Sequence, residues 1–307
     1  MESAPPGILV SEVGSFCYVF LLEDSTVREM HVSTITEAVA KLAVSACCQL
    51  PGVMYRAIEA SVEREASPSG KGVLRELLLN ADIAATENTP ICQDTGLAVV
   101  FAEIGQDVHI VGGSFEEAVN AGIAKGYTEG YLRKSSVAEP LFERKNTGDN
   151  TPAVLHVRVV PGDRIRLKLG PKGAGSENKS ALKMLVPADG IAGVKKFVVD
   201  TVKAAGSSPC PPMVVGVGIG GTMELAALCA KRAAMRDVDT HNADSRYAAL
   251  EEELFDLLNA LGTGPQGLGG TVTAFKVNVE FCATHIASLP VAVNINCHAA
   301  RHAEAEL

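Results

Sequence analysis

The sequence predicts an α/β chain of mixed α+β character, with a helical N-terminal lobe followed by mixed β-sheets flanked by helices. Two patterns predict it. From Thr34 to about Glu87 the apolar residues recur at helical spacing, and from Leu97 onward short β-branched runs alternate with helical stretches. Such an order of elements builds a layered body around a core.

Taken along the chain, residues 1–26 combine turn residues with an isolated apolar patch. Residues 1–29 are expected to form an N-terminal extension, with a natural start at Val27 or Met30 and one catalytic domain over 30–307. Thr34 and Glu37 read as a capping box that opens an apolar stripe through Ile35, Val39 and Leu42. The helical pattern breaks at Pro51–Gly52 and again at Pro68–Gly70. The runs LAVVFAEI and DVHIVGG then read as strands, and Ser114 with Glu117 caps a helix to about Tyr131. Strand-like VLHVRVV and DRIRLKL follow, separated by the turn Pro161–Gly162–Asp163, and then a glycine-rich loop. MVVGVGIGG leads into a helix near 222–236, a second helix covers about 245–261, and VTAFKVNVEF and VAVNIN are the last strands. The sequence has no internal repeat, low-complexity tract or long linker.

Composition narrows the function classes. A chain of 307 residues with 47% hydrophobic content can bury a substantial core. No run approaches the 18 or so uncharged apolar residues of a membrane span. The N-terminal apolar segment lacks a basic leader and a small-residue cleavage site, so a cytoplasmic protein is expected. A net charge of −9 argues against nucleic acid or anionic lipid as partner, since both require a basic footprint. An anionic small substrate would have to be held by a few local cations. The eight cysteines are scattered through a long chain, which disfavours a disulfide framework. Cys47, Cys48, Cys229 and Cys282 sit in apolar helical or alternating patterns and read as small core residues.

Three cysteines have a different setting. Cys92 lies in NTPICQDTG, Cys210 in SPCPP and Cys297 in NINCH, each at a turn or strand end flanked by proline, glycine or asparagine. Loops at strand ends are where a rigid body presents ligands, and proline lowers the entropy lost on fixing them. Spacing alone proves little, because the three are far apart and there is no CxxC. A competing pattern, Gly216-Val-Gly218-Ile-Gly220-Gly221, satisfies the dinucleotide fingerprint, with Asp237 and Asp239 further on. The acidic residue should end a second strand, however, and no strand fits between Thr222 and Asp237. These glycines are therefore read as close packing or backbone approach near a site.

The blocks ICQDTG at 91–96, YLRKS at 131–135, NTGDNTPA at 146–153, KGAGSENKS at 172–180, PCPP at 209–212, GPQGLGG at 264–270 and HIASLPVAVNINCHAARHA at 285–303 occur in an order that resembles the α part of class I, iron–sulfur-dependent fumarate hydratases. The resemblance covers roughly residues 30–307. It implies that Cys92, Cys210 and Cys297 ligate one [4Fe–4S] cluster, leaving one iron open as a Lewis acid for a C4 dicarboxylate. It implies further that Gln93, Arg133 and Gly175 bind substrate, and that Asp94 and His285 take part in proton exchange or hydrogen bonding at the hydroxyl. Ala174 and His298 depart from the family's usual residues, which bears on local geometry rather than on the ligands.

In that family a threonine base and further Arg and Lys residues come from a β-type portion, and this chain stops ten residues after Cys297. The resemblance therefore implies a separate β subunit, an (αβ)₂ assembly and reversible hydration of fumarate to (S)-malate. The α subunit of L(+)-tartrate dehydratase, with the same cluster scheme, is the nearest alternative. YLRKS and GSEN look more like fumarase. A redox iron–sulfur protein is the alternative from another class, and three ligands beside carboxylate-binding residues argue against it.

Overall fold

A computed structural model describes residues 8–13, 16–21 and 27–307. Strands β1 (Ile8–Val13) and β2 (Phe16–Leu21) pair antiparallel, forming a two-stranded sheet. The rest of the expected extension before residue 27 lies outside the described residues. Arg28 and Glu29 belong to the body, because β3 (Arg28–His31) pairs in parallel with a later strand and Arg28 Nη1 donates to the Leu307 carbonyl at 2.8 Å.

Helix α1 (Val32–Cys48) begins three residues earlier than expected. His31 caps it, its ring nitrogen accepting from the Ser33 N–H at 3.2 Å, so Thr34 already lies inside the helix. Pro51 separates α1 from α2 (Gly52–Arg64), and Ser67 caps α3 (Pro68–Glu87) by accepting from the Gly70 N–H. The proline at the first turn of α3 removes a donor that a helix start leaves unpaired anyway. By length and composition the stretch Val32–Arg64 could cross a membrane. Gln49–Pro51 divides it, however, and Ile35, Val39, Ala43, Ala46 and Cys47 are buried in a core.

The remaining elements are β4 (Leu97–Gly105), β5 (Val108–Val111), α4 (Phe115–Glu129), β6 (Val154–Val160), β7 (Ile165–Lys172), the short α5 (Ala174–Glu177), β8 (Ala181–Leu185), α6 (Gly190–Ala205), β9 (Met213–Gly220), α7 (Met223–Ala234), α8 (Ser245–Asn259), β10 (Ala274–Cys282), β11 (Leu289–Asn296) and β12 (Ala303–Glu306). The first four-stranded sheet has the order β12-β7-β4-β6, with β4 parallel to β6 and antiparallel to β7. The turn at Pro161–Asp163 therefore joins two strands that do not pair, because β4 lies between them. Helices α1 and α4 share a core with this sheet through Val39, Ala43, Val119, Ile123, Val100 and Leu169.

The second sheet has the order β10-β9-β11-β8, and β9 is antiparallel to β11. Helices α6 and α8 bury Val198, Val202, Leu254 and Leu258 with Val215, Val277 and Val293. Alanine-rich α7 lies directly against β9. A Cβ on Gly216 would come within 2.2 Å of the Ala230 carbonyl oxygen, and one on Gly218 within 2.0 Å of the Ala226 carbonyl oxygen. The fingerprint-like glycines are thus the floor on which α7 rests. The chain passes from the first sheet to the second between Lys172 and Ala181, and returns between Asn296 and Ala303. Two sequence blocks quoted above lie in these two crossings.

Candidate active site at the seam between the sheets

The three singled-out cysteines sit on loops that meet at this seam. The Cys92 loop, between α3 and β4, is anchored on both sides of Ile91. The Ile91 N–H donates to the Cys47 carbonyl at 3.0 Å, and Asn80 Nδ2 donates to the Ile91 carbonyl at 2.9 Å. Cys210 precedes β9 and Cys297 follows β11, and the antiparallel pairing of these strands puts both at one end of the second sheet. The His298 N–H donates to the Cys210 carbonyl at 3.1 Å, tying the two loops main chain to main chain. Cys297 packs beside Ile91 and Ala299.

The Cys210 thiol feels the other two. Burial pushes the Cys210 thiol up, and the charges of Cys297 and Cys92 push it further. Burial raises Cys297 as well, opposed by Arg301 and Lys172. All three are free cysteines. Among the described residues no three His, Cys, Asp or Glu side chains gather closely enough to hold a single metal ion. Three free thiols presented on three separate loops are a donor set that suits a cubane, which takes each cysteine on a different iron.

Cys210 has φ of +54°, and Asn150 and Gln266 lie at +67° and +53°. A non-glycine residue there carries about 1–3 kcal/mol of strain and persists only where its surroundings hold it. The hold is visible. The Gln266 N–H donates to the Pro211 carbonyl at 2.8 Å, and Gln266 Nε2 lies 3.2 Å from His298 Nδ1. Asn150 Oδ1 accepts from the Ser135 and Ser136 N–H groups at 2.6 and 3.1 Å, and its Nδ2 donates to the Gly96 carbonyl at 3.1 Å.

Asp94 joins the first cysteine loop to the first crossing. Its Oδ1 accepts from the Gly96 N–H at 3.0 Å and its Oδ2 from the Ala174 N–H at 2.9 Å. The Thr95 hydroxyl donates to the Arg133 carbonyl at 2.7 Å, so the main chain of Arg133 is held beside the same loop. The side chains of Gln93 and Arg133 are exposed. Gly175 is exposed too, and a Cβ there would stand 3.5 Å from the Ser208 carbonyl oxygen, in the segment entering Cys210. Cys92, Gln93, Asp94, Arg133, Gly175, Cys210 and Cys297 are thus all carried by segments tied together at the seam.

His285 is not brought there. It lies between β10 and β11, exposed, beside Thr222, Met223, Thr284 and Ser288. β11 has eight residues and ends at Asn296, so at about 3.3 Å per residue His285 stands roughly 25 Å from Cys297. Twelve residues of sequence separation here are the length of a strand, and within one chain His285 cannot face a hydroxyl bound among the cysteines.

Residue-level reading of the sequence missed three charged groups at the seam. Lys172 is 5% exposed, and its Nζ donates to Ser176 Oγ at 2.8 Å and lies 3.1 Å from Glu177 Oε2. Burial pushes this ammonium down to about 8, against the pull of Glu177. Burial would raise Glu177, but Lys172 and Lys231 hold it down at about 2, helped by Asn294. The third is Arg301, 4% exposed, whose Nη2 donates to the Asp94 carbonyl at 2.5 Å. Lys172, Glu177 and Arg301 all lie inside quoted blocks, which was the available signal.

The profile of a family described as fumarate hydratase (Fumerase) matches residues 36–306. The chain is 41% identical over 278 residues to a protein of Methanocaldococcus jannaschii provisionally named L(+)-tartrate dehydratase subunit alpha, a match covering 88% of this chain and 96% of that one. It is 30% identical to the L(+)-tartrate dehydratase subunit alpha of Escherichia coli (strain K12), over 89% of this chain and 91% of the relative.

Proposed function

The chain belongs to the fumarate hydratase (Fumerase) family, and from that premise we propose that it is the cluster-bearing α-type subunit of a hydro-lyase acting on a hydroxylated C4 dicarboxylate, with L(+)-tartrate as the leading substrate. The observation that carries the reading is the meeting of three free thiols, from three distant loops, beside the Asp94-held turn. Cys92, Cys210 and Cys297 would hold a [4Fe–4S] cluster. When bound, it supplies an open iron as Lewis acid toward the hydroxyl.

The chain's own residues orient the substrate. The exposed Arg133 guanidinium suits a two-pronged grip on a carboxylate, and Gln93 adds an amide donor. Gly175 leaves room for a carboxylate oxygen to approach the main chain. Asp94, fixed by two N–H donors, takes or returns a proton at the hydroxyl. The relatives' names as alpha subunits support a β partner, which in this proposal brings the general base and further cations in an (αβ)₂ enzyme. The relatives' names also favour tartrate over malate. The YLRKS and GSEN segments favour the second reading, reversible hydration of fumarate.

The test is co-production with the β partner, anaerobic reconstitution with iron and sulfide, and parallel turnover assays on L(+)-tartrate and (S)-malate. Faster loss of tartrate is expected. Faster loss of malate would favour the second reading, and turnover of neither would overturn both. Full turnover by the lone chain would remove the β partner from the scheme.

A further inference from the structure

Arg301 is a buried cation in an unusual position. It is 4% exposed, and among the described residues its one side-chain hydrogen bond runs from Nη2 to the main-chain carbonyl of Asp94. Nε and Nη1 are buried without a partner. A guanidinium has five N–H donors, and leaving buried donors idle costs about 1–3 kcal/mol each. A buried charge with no counter-charge costs more still. The arrangement is stable only if something anionic occupies the space these donors face.

The neighbours show which anion this is. Arg301 pulls down Cys297, four residues before it, and also Cys47 and Cys48. Asp94 turns both carboxylate oxygens to main-chain N–H groups and offers Arg301 its carbonyl instead. Four residues before Arg301 stands Cys297, so the anion in reach is the group that Cys92, Cys210 and Cys297 would jointly hold. Arg301 also spans the site, since it sits on the crossing after Cys297 and grips the residue two beyond Cys92.

We infer that Arg301 is a positioning residue for the cluster, its idle Nε and Nη1 donating hydrogen bonds to the sulfur of the bound cluster and its charge offsetting that of the cluster and its thiolates. This rests on the cluster reading above. A nearby cation and N–H···S bonds favour the more negative, reduced state, and sulfur hydrogen bonding is a main protein lever on cluster potential.

The experiment compares the wild-type chain with R301M and R301K after anaerobic reconstitution with iron and sulfide. It measures iron per chain, midpoint potential by dye-mediated titration followed by EPR, and the rate of cluster bleaching in air. R301M should show a lower potential and lose iron several-fold faster. R301K keeps the charge without the fork, so its potential should fall less while its bleaching is still faster. Far-UV circular dichroism and thermal melts of the apo chains establish which variants fold. Wild-type potential and bleaching rate in whichever variant folds would overturn the inference. A wild-type chain that takes up no iron and sulfide would instead overturn the cluster reading on which it rests.

Discussion

Asp94 shows how much one side chain does here, because its two oxygens answer two different segments. In D94N one oxygen remains an acceptor while proton exchange is lost. The variant should melt within a few degrees of wild type, yet turnover of the reconstituted complex should drop by about 10²–10⁴-fold. A melt lowered by ten degrees or more with near-normal turnover would make Asp94 structural only. Glu177 makes a prediction about acid stability. Its carboxyl is held at about 2, below its ordinary 4.5, so its contribution is present above about pH 4.5 and is lost as pH falls toward 2. The side chain is 43% exposed and solvent screens the pairs, so the full contribution should be roughly 1–2 kcal/mol. Denaturant midpoints of wild type and E177Q should therefore differ most near pH 6 and converge near pH 2.5. A difference that does not vary with pH would show that the ion pairs contribute nothing. Cys92, Cys210, Cys297, Asp94 and Arg133 stood out in the sequence because they sit in distinctive turn-rich blocks, and the structure brings the segments that carry them together. Lys172, Glu177 and Arg301 lie in the same blocks but were not singled out, since a charge gives no sign in sequence of whether it will be buried. Within one chain the structure places His285 away from the cysteines, because distance along a chain says nothing about which end of a strand a residue occupies.

At the scale of elements, local signals were read well where they reflect local chemistry. Ser114 accepts from the Glu117 N–H at 3.4 Å at the start of α4, and Pro51 and Pro68 mark the helix breaks as expected. The start of α1 was misplaced because a histidine ring performs the capping that a Thr-x-x-Glu pattern seemed to promise. Helix α6 went unnoticed despite its buried stripe of Val194, Val198 and Val202, since a glycine-rich loop preceded it and drew the reading. Pairing between strands was the least legible level. Nothing near Pro161–Asp163 reveals that β4 will insert between β6 and β7, because that choice is made by contacts distant in sequence. The α7–β9 contact carries a sharp prediction. A Cβ on Gly218 would meet the Ala226 carbonyl oxygen at 2.0 Å and the Ala230 nitrogen at 2.5 Å, both backbone atoms of a packed helix. G218A should cost about 3 kcal/mol or more in a guanidinium titration, beyond ordinary overpacking, because neither backbone can move aside cheaply. Wild-type stability in G218A would mean that α7 lifts freely from the sheet.

At the scale of the whole molecule the two four-stranded sheets are joined at one seam, and the candidate ligands are divided between them. Cys92 precedes a strand of the first sheet, whereas Cys210 and Cys297 flank strands of the second. Within the seam these segments are tied by hydrogen bonds such as His298 to Cys210 and Arg301 to Asp94, and by the small apolar contact of Ile91, Ala299 and Cys297. Burial, then the charges of Cys297 and Cys92, raise the affinity of the Cys210 thiol for its proton, and a guanidinium stands by with idle donors. The seam therefore gathers crowded thiols and unmet polar groups in one place. A group that binds all three thiolates would remove both penalties and link the sheets. Because the unfolded chain cannot assemble such a site, binding free energy adds directly to folding free energy. For a chain of this length each 1 kcal/mol is worth about 2 °C in melting temperature. Anaerobic melts should show the cluster-loaded chain several degrees above the same chain after chelation, and protease should cut the chelated form faster at the 88–96 and 206–212 loops. C297S should abolish the difference while leaving the chelated melt nearly unchanged, since Cys297 is only partly buried. Equal melts of loaded and chelated wild type would mean that the sheets hold together without help from the seam, and that the strained loop at Cys210 is supported by Gln266 and His298 alone.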